Sequence, residues 1–201
     1  MSFGLRGKLL ELNPFVPRIR GQGWARALGR ALVACSSWRV VGEFPKIAKL
    51  VAIAAPHSSN WDGIYGIAAA YAMGVRATWM GKNSLFPFPV GWFMKWLGGI
   101  PVDRSRAGNL VEQTVQQYRD NPELVVLVPP EGTRSKVKEW KTGFYHIAVN
   151  AGVPIVLGYV DASRKEAGLA DFFQPIGNLE EDMPKIRAFY ADKVGINPEN
   201  A

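Results

Sequence analysis

The stretch Leu50-Val51-Ala52-Ile53-Ala54-Ala55-Pro56-His57-Ser58-Ser59-Asn60-Trp61-Asp62 changes character partway along. Residues 50–55 are apolar without alternation, the pattern of a strand buried on both faces. Pro56 ends that run, because a proline cannot donate to a ladder of strand hydrogen bonds. Residues 62–73 then read as a helix, which Gly74 stops. A buried strand that passes through a short polar loop into a helix is the opening unit of a parallel sheet with helices on its faces.

The same alternation continues along the chain. Residues 75–80 read as a second strand, 90–97 as a short helix, and Ile100 and Val102 as a brief strand edge. Residues 105–118 read as a helix opened by a serine cap, and 124–128 as the most strand-like run of all. A helix over 141–150 precedes Gly152, and a strand follows at 153–160. Residues 164–174 hold a hairpin or ragged strands, and 184–193 a closing helix that starts at Pro184. The expected fold is α/β, with a mostly parallel central sheet flanked by helices and an N-terminal amphipathic helix ahead of it. Sites in such folds gather at the carboxyl ends of the strands.

The composition of the 201 residues, 48% hydrophobic and 20% charged, belongs to a globular chain and excludes a disordered one. A single cysteine, Cys35, excludes an intramolecular disulfide framework and a cysteine-based zinc knuckle. The histidines, His57 and His146, have no metal-ligand spacing, so no metal is expected. His146 falls mid-helix and reads as structural.

The net charge of +7 is unevenly placed. Residues 1–40 carry seven basic groups against Glu11, a net +6, and the remainder carries 17 basic and 16 acidic groups, a net +1. A body so nearly neutral speaks against nucleic acid as a partner. Residues 1–21, with Pro14, Pro17 and Gly21, read as an irregular arm, and 22–37 as an amphipathic helix. Trp24, Leu28, Ala31 and Cys35 recur there at helical spacing, with Arg26 and Arg30 elsewhere on the cylinder. A basic segment interleaved with Trp24, Leu28, Leu32 and Val33 fits an anionic membrane surface. The alternative is a solvated arginine face on a docked helix. The expected organisation is therefore a membrane-association segment at 1–40 and a catalytic domain at 41–201. No run of 18 apolar residues exists to span a bilayer. The longest uncharged N-terminal run, 31–38, is short and follows several arginines, unlike a signal peptide. The expected location is cytoplasmic, peripheral at the inner face of a membrane.

Two polar strings carry the chemistry, His57 to Asp62 and Pro130 to Ser135, each just past a strand. His57 and Asp62 would stand about 140° apart on a continuous helix, so they pair only if the chain turns between them. Pro56 and Ser58-Ser59-Asn60 supply such a turn, and Ser59 or Asn60 can cap the helix that follows. A carboxylate beside an imidazole fixes its tautomer and raises its basicity, which makes the pair a general base and its orienter. The alternative is a loop histidine, with Asp62 merely favouring the helix N-terminus. Ser58 and Ser59 lack the glycine flanks of a nucleophile elbow. Direct transfer to a hydroxyl deprotonated by His57 is thus the preferred chemistry.

In the second string Gly132 allows a tight turn after Glu131, and Thr133, Arg134 and Ser135 follow as donors. Arginine matches a phosphate with a planar fork. The string lacks the endings of the glycine-rich nucleotide loops and fits a small phosphate monoester; the alternative is an exposed charged loop. Gly98 to Arg104 repeats glycines, a short strand and an arginine. Phe86, Phe88, Trp92, Phe93 and Trp96 form an aromatic stretch that lines an apolar channel, lies at a membrane interface, or is core.

These strings resemble the glycerolipid acyltransferase family, which acylates lysophosphatidic acid or glycerol phosphate. His57, Asp62 and Gly63 match its first block, Gly99 to Arg104 its second, Pro130 to Ser135 its third, and Val153 to Val156 its fourth. The blocks occur in order over residues 57–156. Pro129 stands where the third block usually has an aromatic residue, and Leu157-Gly158 where a proline is common after the fourth. The resemblance implies an acyl donor, acyl-CoA or acyl-carrier protein, as substrate, with no bound cofactor. It implies His57 as general base and Asp62 as its orienter. It implies Arg104, Glu131, Gly132, Thr133 and Arg134 around the acceptor's phosphate, with Lys82 beside them. Phe88, Trp92, Phe93 and Trp96 become candidates for the acyl chain. The implied acceptor is a lysophospholipid, foremost 1-acylglycerol-3-phosphate, with another lysolipid as the alternative. A hydrolase or thioesterase using the same pair with water is the competing function.

Overall fold

The computed structural model describes residues 22–42, 44–102, 107–133 and 135–200. Among them seven strands form one sheet in the order β1-β7-β6-β2-β5-β3-β4. The strands are β1 (Arg39–Val41), β2 (Lys49–Ala55), β3 (Ala77–Lys82), β4 (Gly99–Val102), β5 (Leu124–Val128), β6 (Ile155–Asp161) and β7 (Glu166–Phe173). The helices are α1 (Gln22–Cys35), α2 (Asn60–Met73), α3 (Val90–Trp96), α4 (Ala107–Asp120), α5 (Gly143–Ala151) and α6 (Leu179–Tyr190). Every pairing is parallel except β6 with β7. The sheet is thus mostly parallel, with the β7 and β1 edge running the other way.

β2 lies near the middle and explains the absence of alternation in its sequence. Val51, Ile53 and Ala55 pack with Phe144, Tyr145 and Ile147 of α5 and with Ile186 and Tyr190 of α6. Leu50 and Ala52 face the other way, toward Val75, with Met73 packed alongside. A strand covered on both sides needs apolar residues at every position. The layers are helix, sheet, helix: α4, α5 and α6 on one face, α1 and α2 on the other.

α1 packs on α2 through small residues. Ala25, Gly29 and Val33 are buried, whereas Trp24, Leu28 and Leu32 are exposed. A Cβ on Gly29 would lie 2.7 Å from both the backbone nitrogen of Ala72 and Cβ of Tyr71. Such an approach admits only glycine. Trp38, just beyond α1, stacks on Tyr65 of α2 with centroids 4.5 Å apart. The apolar stripe read from the helical spacing is therefore the outer face of the helix, and a separate small-residue face docks it. Arg26 Nε donates to Ala72 O at 3.4 Å, so that arginine lies along the helix pair.

Several boundaries differ from the sequence reading. The strand expected at 75–80 starts at Ala77, because Val75 and Arg76 complete the turn out of α2. The ragged region at 164–174 is a single strand, β7, turned back onto β6 after residues 162–165. The closing helix begins five residues before Pro184, at Leu179. Asn178 caps it, accepting from Glu181 N, and Glu180, Glu181 and Asp182 fill its first turn, where the helix dipole favours acidic groups. Pro184 sits inside the helix rather than opening it. β1, three residues long, had no sequence signal. The serine cap expected for α4 and the irregular arm at 1–21 lie outside the described residues.

Candidate active site

The order β2, β5, β3 brings three carboxyl ends side by side. Ile53 of β2 pairs with Val128 of β5, so the loops that follow leave the sheet at one level. His57 follows β2, Glu131 follows β5, and Lys82 ends β3.

The chain turns between His57 and Asp62, as their pairing requires. Ser59 is the N-cap of α2, with extended backbone at φ −150° and ψ 160°, and Asp62 is the third residue of the first turn. Ser59 Oγ accepts from Trp61 N at 3.2 Å, and Asp62 Oδ2 accepts from Ser59 N at 2.5 Å. This reciprocal capping box satisfies donors that a helix start leaves open. Asp62 Oδ2 also accepts from Ser58 N at 2.5 Å and from Ser58 Oγ at 3.3 Å. His57 Nδ1 stands 3.9 Å from the same oxygen, an ion-pair distance longer than a hydrogen bond. The His57 side chain is 24% exposed and that of Asp62 3%, so the imidazole reaches solvent while the carboxylate behind it does not. Asp62 Oδ1 is buried with no hydrogen-bond partner among the described residues. The carboxylate therefore keeps acceptor capacity beyond its capping bonds. Asp62 thus serves the helix start and also faces the histidine.

The second string meets the first directly. The backbone N–H of His57 donates to Glu131 Oε1 at 3.2 Å. Glu131 is 9% exposed, and its Oε2 is buried without a partner among the described residues. Burial raises the Glu131 carboxyl above its ordinary pKa, the neighbouring Asp62 adds to the rise, and backbone donors including His57 N–H oppose it. Glu131 thus lies beneath the histidine loop, tied to its backbone.

Gly132 has φ +65°, a left-handed turn that side chains resist. Lys141 lies across it: a Cβ on Gly132 would come within 2.8 Å of Lys141 Cδ and 3.0 Å of Nζ. Lys141 N donates to Pro130 O at 2.8 Å, which closes the loop. Lys141 is exposed and has no carboxylate partner among the described residues. Sequence reading passed it over, since a lone lysine at the start of an expected helix carries no motif. Gly132, Thr133 and Lys82 are exposed. Arg104 and Arg134 lie outside the described residues.

The serines beside His57 are both engaged. Ser58 is buried and its Oγ accepts from Asn197 N at 2.9 Å, while Ser59 Oγ caps α2. His146 is an exposed residue of α5, edge-on to Tyr145. Among the described residues no group of three or more His, Cys, Asp or Glu side chains is placed to share a metal ion.

The aromatic stretch is split. Phe86 stacks on Trp79 of β3 at 5.9 Å. Phe88 and Trp92 are 94% and 73% exposed, and Phe93 is also exposed. Trp96 stacks on Trp24 of α1 at 5.3 Å and on Phe93 at 5.9 Å. The outer faces of α1 and α3 therefore join into one apolar surface. A cavity of about 210 Å³ lined by Tyr71, Arg76, Lys95 and Trp96 lies at the amino ends of β3 and β4, away from His57. No described helix is long and apolar enough to cross a membrane.

The chain is similar to known proteins. The chain is 32% identical over 107 residues to a 1-acyl-sn-glycerol-3-phosphate acyltransferase of Haemophilus influenzae, covering 50% of this chain and 43% of that one. It is 30% identical over 122 residues to the protein of the same name from Escherichia coli, covering 57% and 48%. The matched region spans less than half the length of these relatives. The crystal structure of the 1-acyl-sn-glycerophosphate (LPA) acyltransferase PlsC from Thermotoga maritima superposes with a TM-score of 0.61 at 21% identity, covering 84% of this chain and 76% of that one, a likeness of fold. Residues 39–157, more than half the chain, from β1 into the first residues of β6, match the Acyltransferase family, and the chain belongs to that family.

Proposed function

We propose that this protein moves an acyl group from a thioester donor, acyl-CoA or acyl-carrier protein, to the hydroxyl of a lysophospholipid, foremost 1-acylglycerol-3-phosphate. The observation that carries the reading is the His57–Asp62 pair at the end of β2, with its solvent-reaching imidazole and enclosed carboxylate. The names of the curated relatives supply the acceptor.

In this reading Asp62 holds the proton on His57 Nδ1, which leaves Nε2 to accept one. The acceptor hydroxyl gives its proton to Nε2 as its oxygen attacks the thioester carbonyl. The tetrahedral intermediate collapses, the carbon–sulfur bond breaks, and the departing thiolate takes the proton back from His57. The products are an ester and a free thiol, and the base is restored. Glu131 steadies the loop through the His57 backbone. Gly132, Thr133, Lys82 and Lys141, with Arg104 and Arg134, supply donors and positive charge for the acceptor's phosphate. Phe93 and Trp96 border the apolar surface where an acyl chain would lie, with Phe88 and Trp92 further out.

The joined outer faces of α1 and α3 rest on an anionic membrane in this reading, so the protein works peripherally at the inner face of a membrane. Exposed tryptophans, which favour the headgroup level, and the basic N-terminal segment support it.

The test offers purified protein a long-chain acyl thioester with 1-acylglycerol-3-phosphate, glycerol 3-phosphate or other lysolipids, and follows free thiol. Thiol released with one acceptor and lost in His57→Ala supports the proposal. Release without any acceptor identifies a thioesterase instead. Full transfer by His57→Ala overturns the base assignment.

A further inference from the structure

Residues 194–200 leave α6 and return to the loop that carries His57. Four contacts hold their path. Val194 O accepts from Ala162 N at 2.8 Å. Ile196 packs against the apolar cluster of Val33, Val40, Ala68 and Ala69. At the far end Asn197 N donates to Ser58 Oγ at 2.9 Å, and Asn200 Nδ2 reaches Ser58 O at 3.5 Å. The first of these joins residues 139 positions apart in the chain.

A hydroxyl has one proton to give and two lone pairs to receive. The Ser58 hydroxyl receives from Asn197, and its own proton has an acceptor in Asp62 Oδ2 at 3.3 Å. Ser58 is 2% exposed, so water does not compete for either bond. The result is a directed chain from Asn197 N–H through the Ser58 hydroxyl to the carboxylate that faces His57.

We propose that residues 194–200 form a positioning strap that sets the Asp62 carboxylate against His57 through the Ser58 hydroxyl. Two backbone donors, Ser58 N and Ser59 N, hold Asp62 Oδ2 from the helix side. The hydroxyl adds a third and ties the loop to the strap. Without it the carboxylate and imidazole lose their fixed relation, and a base out of place by a fraction of an ångström slows proton removal more than it weakens binding. The strap lies beyond residue 157, where the family match ends. The proposal rests on His57 acting as the base.

The test uses the full chain and the thiol-release assay. Ser58→Ala and Asn197→Pro, which removes the donating N–H, should each lower kcat about tenfold while KM for the acceptor stays unchanged. Ser58→Thr keeps the hydroxyl and should recover most of kcat. The double variant should lose little more than either single one, because both break one chain of bonds. Unchanged kcat in Ser58→Ala, no recovery in Ser58→Thr, or full additivity in the double variant overturns the strap. Should Asn197→Pro fail to fold, the comparison of Ser58→Ala with Ser58→Thr decides by the same kcat criteria. Full turnover by His57→Ala overturns the catalytic reading itself, whereas full turnover by Ser58→Ala alongside an inactive His57→Ala overturns the strap alone.

Discussion

Glu131 Oε1 accepts a hydrogen bond from the backbone N–H of His57 at 3.2 Å, and this bond joins two loops 74 residues apart. The two polar strings of the sequence are thus parts of one structure, and the glutamate is buried against the histidine loop. Its other oxygen is buried without a partner among the described residues.

That arrangement gives the first prediction. The folded-state pKa of Glu131 is raised, chiefly by burial, so the folded protein holds a proton there more readily than the unfolded chain does. Stability from this group is fully present below the ordinary carboxyl pKa and is lost as pH rises through the raised value. Glu131→Gln keeps an oxygen for His57 N–H and removes the titration. Thermal melts across the mildly acidic range should show Glu131→Gln gaining on the wild type as pH rises. A constant difference at all pH values would count against it.

Asp62 sits in the capping box and behind His57, so its loss has two separable costs. Asp62→Asn keeps an acceptor for the loop amides but carries no charge to steady a protonated imidazole. Its kcat should fall on the order of a hundredfold with the fold intact. Asp62→Ala should lose similar activity and, in addition, about 1 kcal/mol of stability. Kinetics beside urea unfolding separate the two.

Gly29 is a point of close approach between α1 and α2. Gly29→Val places its Cβ 2.7 Å from the backbone of Ala72, which cannot swing aside like a side chain. The expected cost is about 1–3 kcal/mol, with α1 the part that gives. Limited proteolysis should cut the variant within residues 22–38 faster than the wild type.

On the outer surface, Leu28→Glu with Trp92→Glu should weaken binding to anionic vesicles at least about tenfold, by removing buried apolar area and adding repulsive charge. Flotation measures it. Turnover on a short-chain, water-soluble acceptor should persist in the same variant.

Lys141→Ala tests the cation over Gly132. KM for a phosphate-bearing acceptor should rise about tenfold with kcat little changed, the signature of lost uniform binding. An acceptor without a phosphate should not register the change.

The layered sheet was legible because β2 and β5 are covered on both faces and spell that out as unbroken apolar runs. The His57–Asp62 turn was legible because proline and a serine–asparagine cluster mark it. α6 was misjudged because Pro184 reads as a start, while the stronger signal was the acidic turn after Asn178. The stripe of Trp24, Leu28, Ala31 and Cys35 was visible as a face, but which side of α1 docks depends on how closely Gly29 lets α2 approach. Periodicity alone does not report that distance. The bond from Asn197 to Ser58 spans most of the chain and leaves no local pattern, and Lys141 gains meaning only from the bare glycine beneath it.

The packing of α1 against α2 has a directional consequence. Asp62 belongs to the first turn of α2, and α2 is the helix on which α1 is seated through Gly29. No loop intervenes between the exposed stripe of α1 and the carboxylate that faces His57. Whatever plane that stripe rests on, the carboxylate keeps a constant bearing to it, so the molecule's tilt at a surface also sets the direction from which His57 can be approached.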